Sequence, residues 1–202
     1  MRKSITLFST IAMFAICLSL TSCDNEDVHE SIVLSGQWRG DWGMYYQIER
    51  YGQIYTYDSF DTDIVFYPDY DYATHGYGYQ VDWYDYGPYE RLSFRFKWSI
   101  NNGIVNIYYP FNPEYNTFIR DYRLSNDYFS GYLGNSSTRF RLGKIRDYYD
   151  WSYYSYYDYY YWERTTYGRD YYYGKTRNAT APEELPLDPN NKIIKIGSRY
   201  TE

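Results

Sequence analysis

The chain is short of the residues from which most catalytic and metal centres are built. Among its 202 residues are 2 histidines, His29 and His75, and 2 cysteines, Cys17 and Cys23. Both cysteines lie near the N-terminus, so the rest of the chain has neither a disulfide framework nor a cysteine ligand. Two histidines far apart in sequence give no support to a zinc site built on imidazoles, and no metal is expected. Basic charge is also scarce: 20 Lys and Arg stand against 26 Asp and Glu, a net −6. Loss of residues 1–22 would remove Arg2 and Lys3 and leave −8. Such a chain lacks the basic footprint of a nucleic-acid binder, and no nucleic-acid partner is expected. No sustained helical spacing is present, which excludes a coiled coil, and a lone apolar run excludes a multi-pass membrane protein.

What is abundant is aromatic. There are 33 Tyr, 10 Phe and 6 Trp, so rings make up 24% of the chain. At this length one domain with appendages is the expectation, and its core must be built from rings.

The chain opens with Arg2 and Lys3, followed by an apolar run from Ile5 to Leu20 broken only by Ser and Thr. A short positive head before a short apolar stretch reads as a secretory signal peptide. The run is short for a membrane span, which needs about 20 predominantly apolar residues. Leu20-Thr21-Ser22-Cys23 resembles the bacterial lipobox, with small residues beside the cut and a thiol to carry the lipid. The resemblance implies that Cys23 is the lipid attachment site, carrying acyl chains such as palmitate. Several chains on one residue give stable anchoring where one alone is marginal. The acidic run Asp24-Asn25-Glu26-Asp27 resembles the surface-export signal of Bacteroidota lipoproteins. That implies an outer-membrane location and display at the cell surface; the plain reading of the same run is a solvated tether.

From Leu34 to Ile145 the hydrophobic period is two. In Gln37–Glu49, Trp38, Gly40, Trp42, Met44, Tyr46 and Ile48 alternate with a more polar set, which predicts one half-buried strand. In Glu90–Ile100, Leu92, Phe94, Phe96, Trp98 and Ile100 alternate with Arg91, Ser93, Arg95, Lys97 and Ser99. Tyr77, Tyr79, Val81 and Trp83 alternate with Gly78, Gln80 and Asp82, and apolarity assigns the aromatic set to the core. Weaker strands read at 54–60, 62–67, 104–109, 117–124, 128–133 and 138–145, the first two being one bent strand or two. Tyr51-Gly52, Asn102-Gly103 and Gly134-Asn135-Ser136 supply turns, and Asn102-Gly103 between apolar-patterned runs is a strong hairpin signal. Sequential short strands with tight turns predict an all-β fold, a small antiparallel up-and-down barrel of about eight strands. A β-sandwich is the alternative.

Ser35-Gly36-Gln37-Trp38 carries a further resemblance. A Gly-x-Trp at the head of the first strand resembles the lipocalins, and the string Leu34 to Trp42 looks like the small lipocalin-like lipoproteins of Bacteroidota. The resemblance covers about Leu34 to Arg146. It implies that Trp38 plugs the closed end of the barrel and that an arginine of the last strand, Arg139 or Arg141, packs across its ring. It also implies a non-catalytic binder of a small apolar or amphipathic ligand inside the barrel, with Trp42, Tyr77, Tyr79, Trp83, Phe94, Phe96 and Trp98 lining the site. The same rings are large enough to fill an eight-stranded barrel and leave no pocket.

Catalysis and cofactors find little support. His75 reads as a loop or strand-start residue, and there is no nucleophile-elbow motif. Asp58, Asp61, Asp63, Asp69 and Asp71 read as turn and polar-face residues, with a carboxylate-based hydrolase as the minor alternative. The Asp69-Tyr70-Asp71 loop has no recognisable calcium-ligand pattern. From Tyr148 to Tyr173, 13 of 26 residues are Tyr, interleaved with Asp, Ser and Arg. That composition reads either as an adhesive segment contacting glycans or proteins, or as an extra strand or helix on the barrel. Residues 178–191 read as a flexible linker, and Ile193–Ile196 as a short run able to pair with a sheet edge. The expected organisation is 1–22 signal peptide, 23–33 acidic tether, 34–147 barrel, and 148–202 Tyr-rich extension and tail.

Overall fold

A computed structural model describes residues 22–148, 159–163 and 191–201; for 22–25 and 159–163 it describes the backbone alone. One helix, α1 (Ser22–Leu34), precedes twelve strands among the described residues. These are β1 (Gly36–Asp41), β2 (Met44–Arg50), β3 (Gln53–Asp58), β4 (Asp61–Pro68), β5 (His75–Trp83), β6 (Tyr89–Asn101), β7 (Ile104–Tyr108), β8 (Thr117–Leu124), β9 (Tyr128–Leu133), β10 (Arg139–Arg146), β11 (Tyr159–Glu163) and β12 (Ile193–Ser198).

Eight of these strands close on themselves. The order β6-β5-β4-β1-β10-β9-β8-β7 returns to β6 through a β6–β7 pairing, and every pairing is antiparallel. The protein is therefore the all-β, eight-stranded antiparallel barrel expected, not a sandwich. Closure satisfies the backbone edges that an open sheet would expose. β11 pairs with the first half of β6, Tyr159 opposite Phe94, on the edge that β7 takes further along.

The strand expected over Gln37–Glu49 is two strands. The run breaks at Gly43, where φ is +70° and a Cβ would sit 2.9 Å from the Tyr200 ring. β1 stays in the barrel. β2 leaves it and forms a second sheet, β12-β2-β3, whose inner residues Met44, Tyr46, Ile48 and Ile196 join the barrel core. The β2–β3 and β6–β7 hairpins both turn on paired positive φ, Tyr51-Gly52 and Asn102-Gly103, as two-residue type I′ loops require. The Ile193–Ile196 run does pair with a sheet edge, Ile196 opposite Tyr46.

The two ends of the barrel are closed differently. At one end α1 lies across the opening. The segment expected as an acidic tether is thus helical, and Glu26 and Asp27 near its N-terminus suit the positive end of the helix dipole. Asp27 accepts hydrogen bonds from the backbone N–H of Asn102 (3.0 Å) and Gly103 (3.2 Å), the tip of the β6–β7 hairpin. Ser31 donates to the carbonyl of Ala73, and the Tyr122 hydroxyl donates to Glu30. Burial raises the Glu30 carboxyl above the ordinary range, opposed by that hydrogen bond. At the other end the β12-β2-β3 sheet covers the opening.

Gly36, the glycine of Gly-x-Trp, has φ +116°, and a Cβ there would lie 2.6 Å from the Arg146 carbonyl oxygen. A side chain at that position would prevent β1 from closing against β10.

Candidate functional site: the sheet-covered end of the barrel

The barrel interior is packed with rings. Trp38, Phe66, Phe94, Phe96, Trp98, Phe129 and Phe140 are buried in one continuous core. They meet mostly edge to face, Trp38 on Phe129 at 5.8 Å and Phe66 on Phe96 at 5.4 Å. Phe94, Phe96 and Trp98 therefore face inward as expected and pack on other rings, Phe94 on Tyr109 and Tyr115, Phe96 on Phe66 and Tyr109, and Trp98 on Phe66.

Space appears instead beneath the second sheet. A cavity of about 370 Å³ lies where four segments meet. The β1–β2 junction supplies Trp42, Met44 and Tyr45; the β7–β8 connection supplies Tyr109 and Glu114 to Phe118; the β9–β10 turn supplies Leu133 to Asn135; and β12 and its end supply Lys195 to Ser198 and Thr201. The β7–β8 connection can reach the cavity because Pro113–Tyr115 winds into a 3-10 turn. The carbonyl of Asn112 accepts from Tyr115, and Asn116 accepts from the Tyr109 N–H at 2.7 Å. Tyr109 and Tyr115 contact each other at 6.2 Å between ring centroids, and Trp42 leans on Phe140 at 4.8 Å. The wall thus mixes aromatic and aliphatic side chains with the polar groups of Glu114, Asn116, Thr117, Asn135, Lys195, Ser198 and Thr201. Burial, followed by the Glu114 carboxylate, raises the Tyr115 phenol well above its usual range, so the hydroxyl stays protonated.

A polar relay runs from this wall into the barrel. The Tyr109 hydroxyl donates to Gln80 Oε1 at 2.6 Å. Gln80 Nε2 donates to both Asp82 carboxyl oxygens at 2.9 Å, and Thr62 Oγ1 donates to Asp82 at 2.7 Å. Gln80, Asp82 and Thr62 are all 0% exposed. Burial pushes the Asp82 carboxyl up to about 7, against the two hydrogen bonds that lower it.

The sequence-predicted site residues scatter around this geometry. Trp42 lines the cavity. Tyr77, Tyr79 and Trp83 do not: β5 presents Gly78, Gln80 and Asp82 to the interior and the aromatic set to the outside. There Tyr79 and Val81 pack with Val65, Tyr67 and Trp83 in a separate outer cluster. The inward set is glycine and hydrogen-bonding residues because Phe96 fills the space over Gly78, where a Cβ would lie 2.1 Å from its ring.

Trp38 is fully buried at the α1 end, its Nε1 donating to the Leu34 carbonyl at 2.8 Å. Neither Arg139 nor Arg141 reaches it. Both side chains point outward, over Tyr132 at 4.6 Å and over Tyr128 at 6.0 Å. The cation over Trp38 is Lys144 of the same strand. Alternation along β10 explains the correction: Phe140 and Leu142 face in and Arg139 and Arg141 face out, while Lys144 returns to the Trp38 side.

Cys23 lies in the first turn of α1, its side chain outside the described residues. The apolar run at 5–20, residues 178–190 and most of the Tyr-rich segment also lie outside them. Among the described residues, no helix is long and apolar enough to cross a membrane, and no group of three His, Cys, Asp or Glu side chains stands ready for a metal. His75 is half-exposed at the start of β5, 3.5 Å from Asp69. Asp58 meets Arg199 at 3.3 Å. Asp63 is enclosed on the outer barrel face by Gln37, Arg39 and Trp83.

Tyr109, Tyr115, Glu114 and Lys195 were not anticipated as lining residues. The sequence signal for Tyr109, Glu114 and Tyr115 was the long connection between β7 and β8, and for Lys195 the Ile193–Ile196 run read as able to pair with a sheet edge.

Together these features define a small closed antiparallel barrel with a packed interior and a roofed cavity at one end. Searches against protein-family models, curated proteins and solved structures find no match to this chain.

Proposed function

We propose that the protein is a lipid-anchored bacterial surface lipoprotein that binds a small amphipathic molecule without transforming it. The supporting observation is the cavity of about 370 Å³ framed by Trp42, Tyr109 and Tyr115, with Glu114 and Asn116 at its wall. Its volume falls in the range of small-molecule sites, and its mix of rings with a few polar groups suits a ligand with one apolar and one polar face. The ligand sits at the mouth under the second sheet, because the interior is occupied by the protein's own rings. The lipobox-like Leu20 to Cys23 supports the anchor and the outer-membrane location. The non-catalytic reading rests on Glu114 being the one carboxylate among the described lining residues, with no second acid or imidazole beside it, while Asp63 is engaged by an arginine and two further donors and Asp82 by Thr62 and Gln80.

Titration of the purified full chain with anilinonaphthalene sulfonate, an amphipathic fluorophore, tests the site. Trp42→Ala and Tyr115→Ala should each weaken binding about tenfold, the loss of one aromatic contact of roughly 1.4 kcal/mol, while Phe60→Ala on the surface should not. Binding that survives both cavity substitutions would remove the cavity from the proposal.

A second reading draws on the packed interior and on exposed rings such as Tyr51, Tyr86 and Phe111. In it the barrel is a scaffold and the outer aromatics adhere to glycans or proteins. Retention on a glycan array by the Tyr86→Ala, Phe111→Ala double variant would count against it.

A further inference from the structure

We propose that the α1 end of the barrel is the face turned to the lipid surface, with the cavity end directed away from it. The inference rests on the anchor reading above and adds a fixed orientation to it. Anchored lipoproteins with long tethers have none, but here the tether length is consumed by structure. The apolar run ends at Leu20, Cys23 lies in the first turn of α1, and the helix continues without interruption to Leu34. At 1.5 Å of rise per residue, Cys23 and Asp27 are about 6 Å apart along the helix axis. Asp27 is already fastened to the β6–β7 hairpin tip through the Asn102 and Gly103 amides.

Further along the helix, Glu30 meets Tyr122 of β8, Ser31 meets the β4–β5 loop at Ala73, and the Val33 carbonyl accepts from Lys144 of β10. Four parts of one barrel end therefore hold the helix that carries the anchoring residue.

The surface of that end fits a bilayer interface. Ile32, Tyr70, Tyr72, Ile104, Ile145 and Tyr148 are all exposed there, the three tyrosines by 64–70%. Tyrosine places an apolar ring and a wet hydroxyl at headgroup depth, and isoleucine beside it adds apolar contact. At the same end the exposed acids Glu26, Asp69, Asp71 and Asp147 outnumber exposed basic groups such as Arg146, His29 and His75, and Asp147 and Asp69 face Lys144 and His75, so no excess of positive charge draws it to anionic headgroups; the occupant is a neutral lipid surface met by the rings.

The test uses the full chain, matured in a bacterial host and incorporated into phosphatidylcholine vesicles containing a headgroup-nitroxide lipid. Tyr70→Cys and Phe111→Cys each carry an environment-sensitive fluorophore on the introduced thiol; the two sites lie at opposite ends. The label at 70 should lose most of its emission to the nitroxide, and the label at 111 little. Tyr148→Cys is a second reporter of the α1 end. Flotation of the chain with vesicles, abolished by Cys23→Ala, checks the anchor separately. A chain that floats but shows equal quenching at both ends overturns the orientation alone. Shielding at position 70 without lipid quenching, as contact with a second copy would give, also overturns it. A chain that does not float overturns the anchor reading and the orientation with it.

Discussion

The ammonium of Lys144 stands 5.2 Å from the centroid of the Trp38 ring, and the two residues are partners across the β1–β10 ladder. The same Nζ donates to the Val33 carbonyl at 3.1 Å and meets Asp147 at 3.0 Å, with only 8% of the side chain exposed. One cation thus ties together the first strand, the last strand and the end of the plugging helix. An arginine was expected in this role from the lipocalin resemblance; the register of β10 assigns it to a lysine.

Replacement of Lys144 by methionine keeps the stem and removes the charge. A cation–π contact, one hydrogen bond to a carbonyl and an ion pair with the solvent-exposed Asp147, which adds little, are lost, a combined destabilisation of about 2 kcal/mol. Lys144→Arg should recover most of it. Chemical denaturation of both variants, followed by tryptophan emission, measures the difference; equal midpoints for the methionine variant and the parent would show that the contact contributes nothing.

Asp82 gives the protein a pH-dependent stability. Its folded carboxyl titrates at about 7, against an ordinary value of 3.8. Between these limits the native state holds a proton that the unfolded chain has released. Stability from this group is therefore full below pH ~4, falls as pH rises through the window, and levels off above pH ~7. At about 1.4 kcal/mol per unit, the total change is on the order of 4 kcal/mol. Asp82→Asn still accepts from Thr62 and Gln80, and should flatten the dependence between pH 5 and 8. Urea midpoints across that range measure it, and parallel profiles for parent and variant would refute the assignment.

Asp63 accepts from Gln37 Nε2 at 2.9 Å, Arg39 Nε at 2.8 Å, Arg39 Nη2 at 2.7 Å and Trp83 Nε1 at 3.1 Å, and is itself 3% exposed. Asp63→Ala leaves the Gln37 and Trp83 donors facing an empty site. Arg39, half in solvent, recovers part of its loss in water. The expected cost is about 3 kcal/mol, at the lower end for a broken buried ion pair. Asp63→Asn should cost less, because one oxygen still accepts. Thermal unfolding of the two variants distinguishes them, and an alanine variant as stable as the asparagine one would contradict the account.

Sequence legibility followed polarity contrast. From Leu92 to Ile100 of β6 one face is wholly apolar and the other charged or hydroxylated, so alternation named the inward residues correctly. In β5 both faces carry groups that can be buried, and apolarity chose the wrong one. The inward Gln80 and Asp82 are acceptable in the core because Thr62 and Tyr109, distant in sequence, satisfy them. The cavity was missed for a related reason: its walls come from four segments that meet by closure alone.

The sequence by itself determined the all-β class, the approximate number of strands, the position of the hairpin turns and the reliance on aromatic packing. Those follow from local chemistry: period-two alternation, paired positive-φ turn residues, and a composition rich in rings. Tertiary structure decided that α1 closes one end, that β2 leaves the barrel at Gly43 to join β12, that Lys144 meets Trp38, and that space remains at the far end. Each of these depends on which surfaces meet once the eight-stranded sheet closes. That meeting is set by register and volume between residues up to 159 positions apart, as between Asp41 and Tyr200, whose hydroxyl donates to the carboxylate at 2.6 Å.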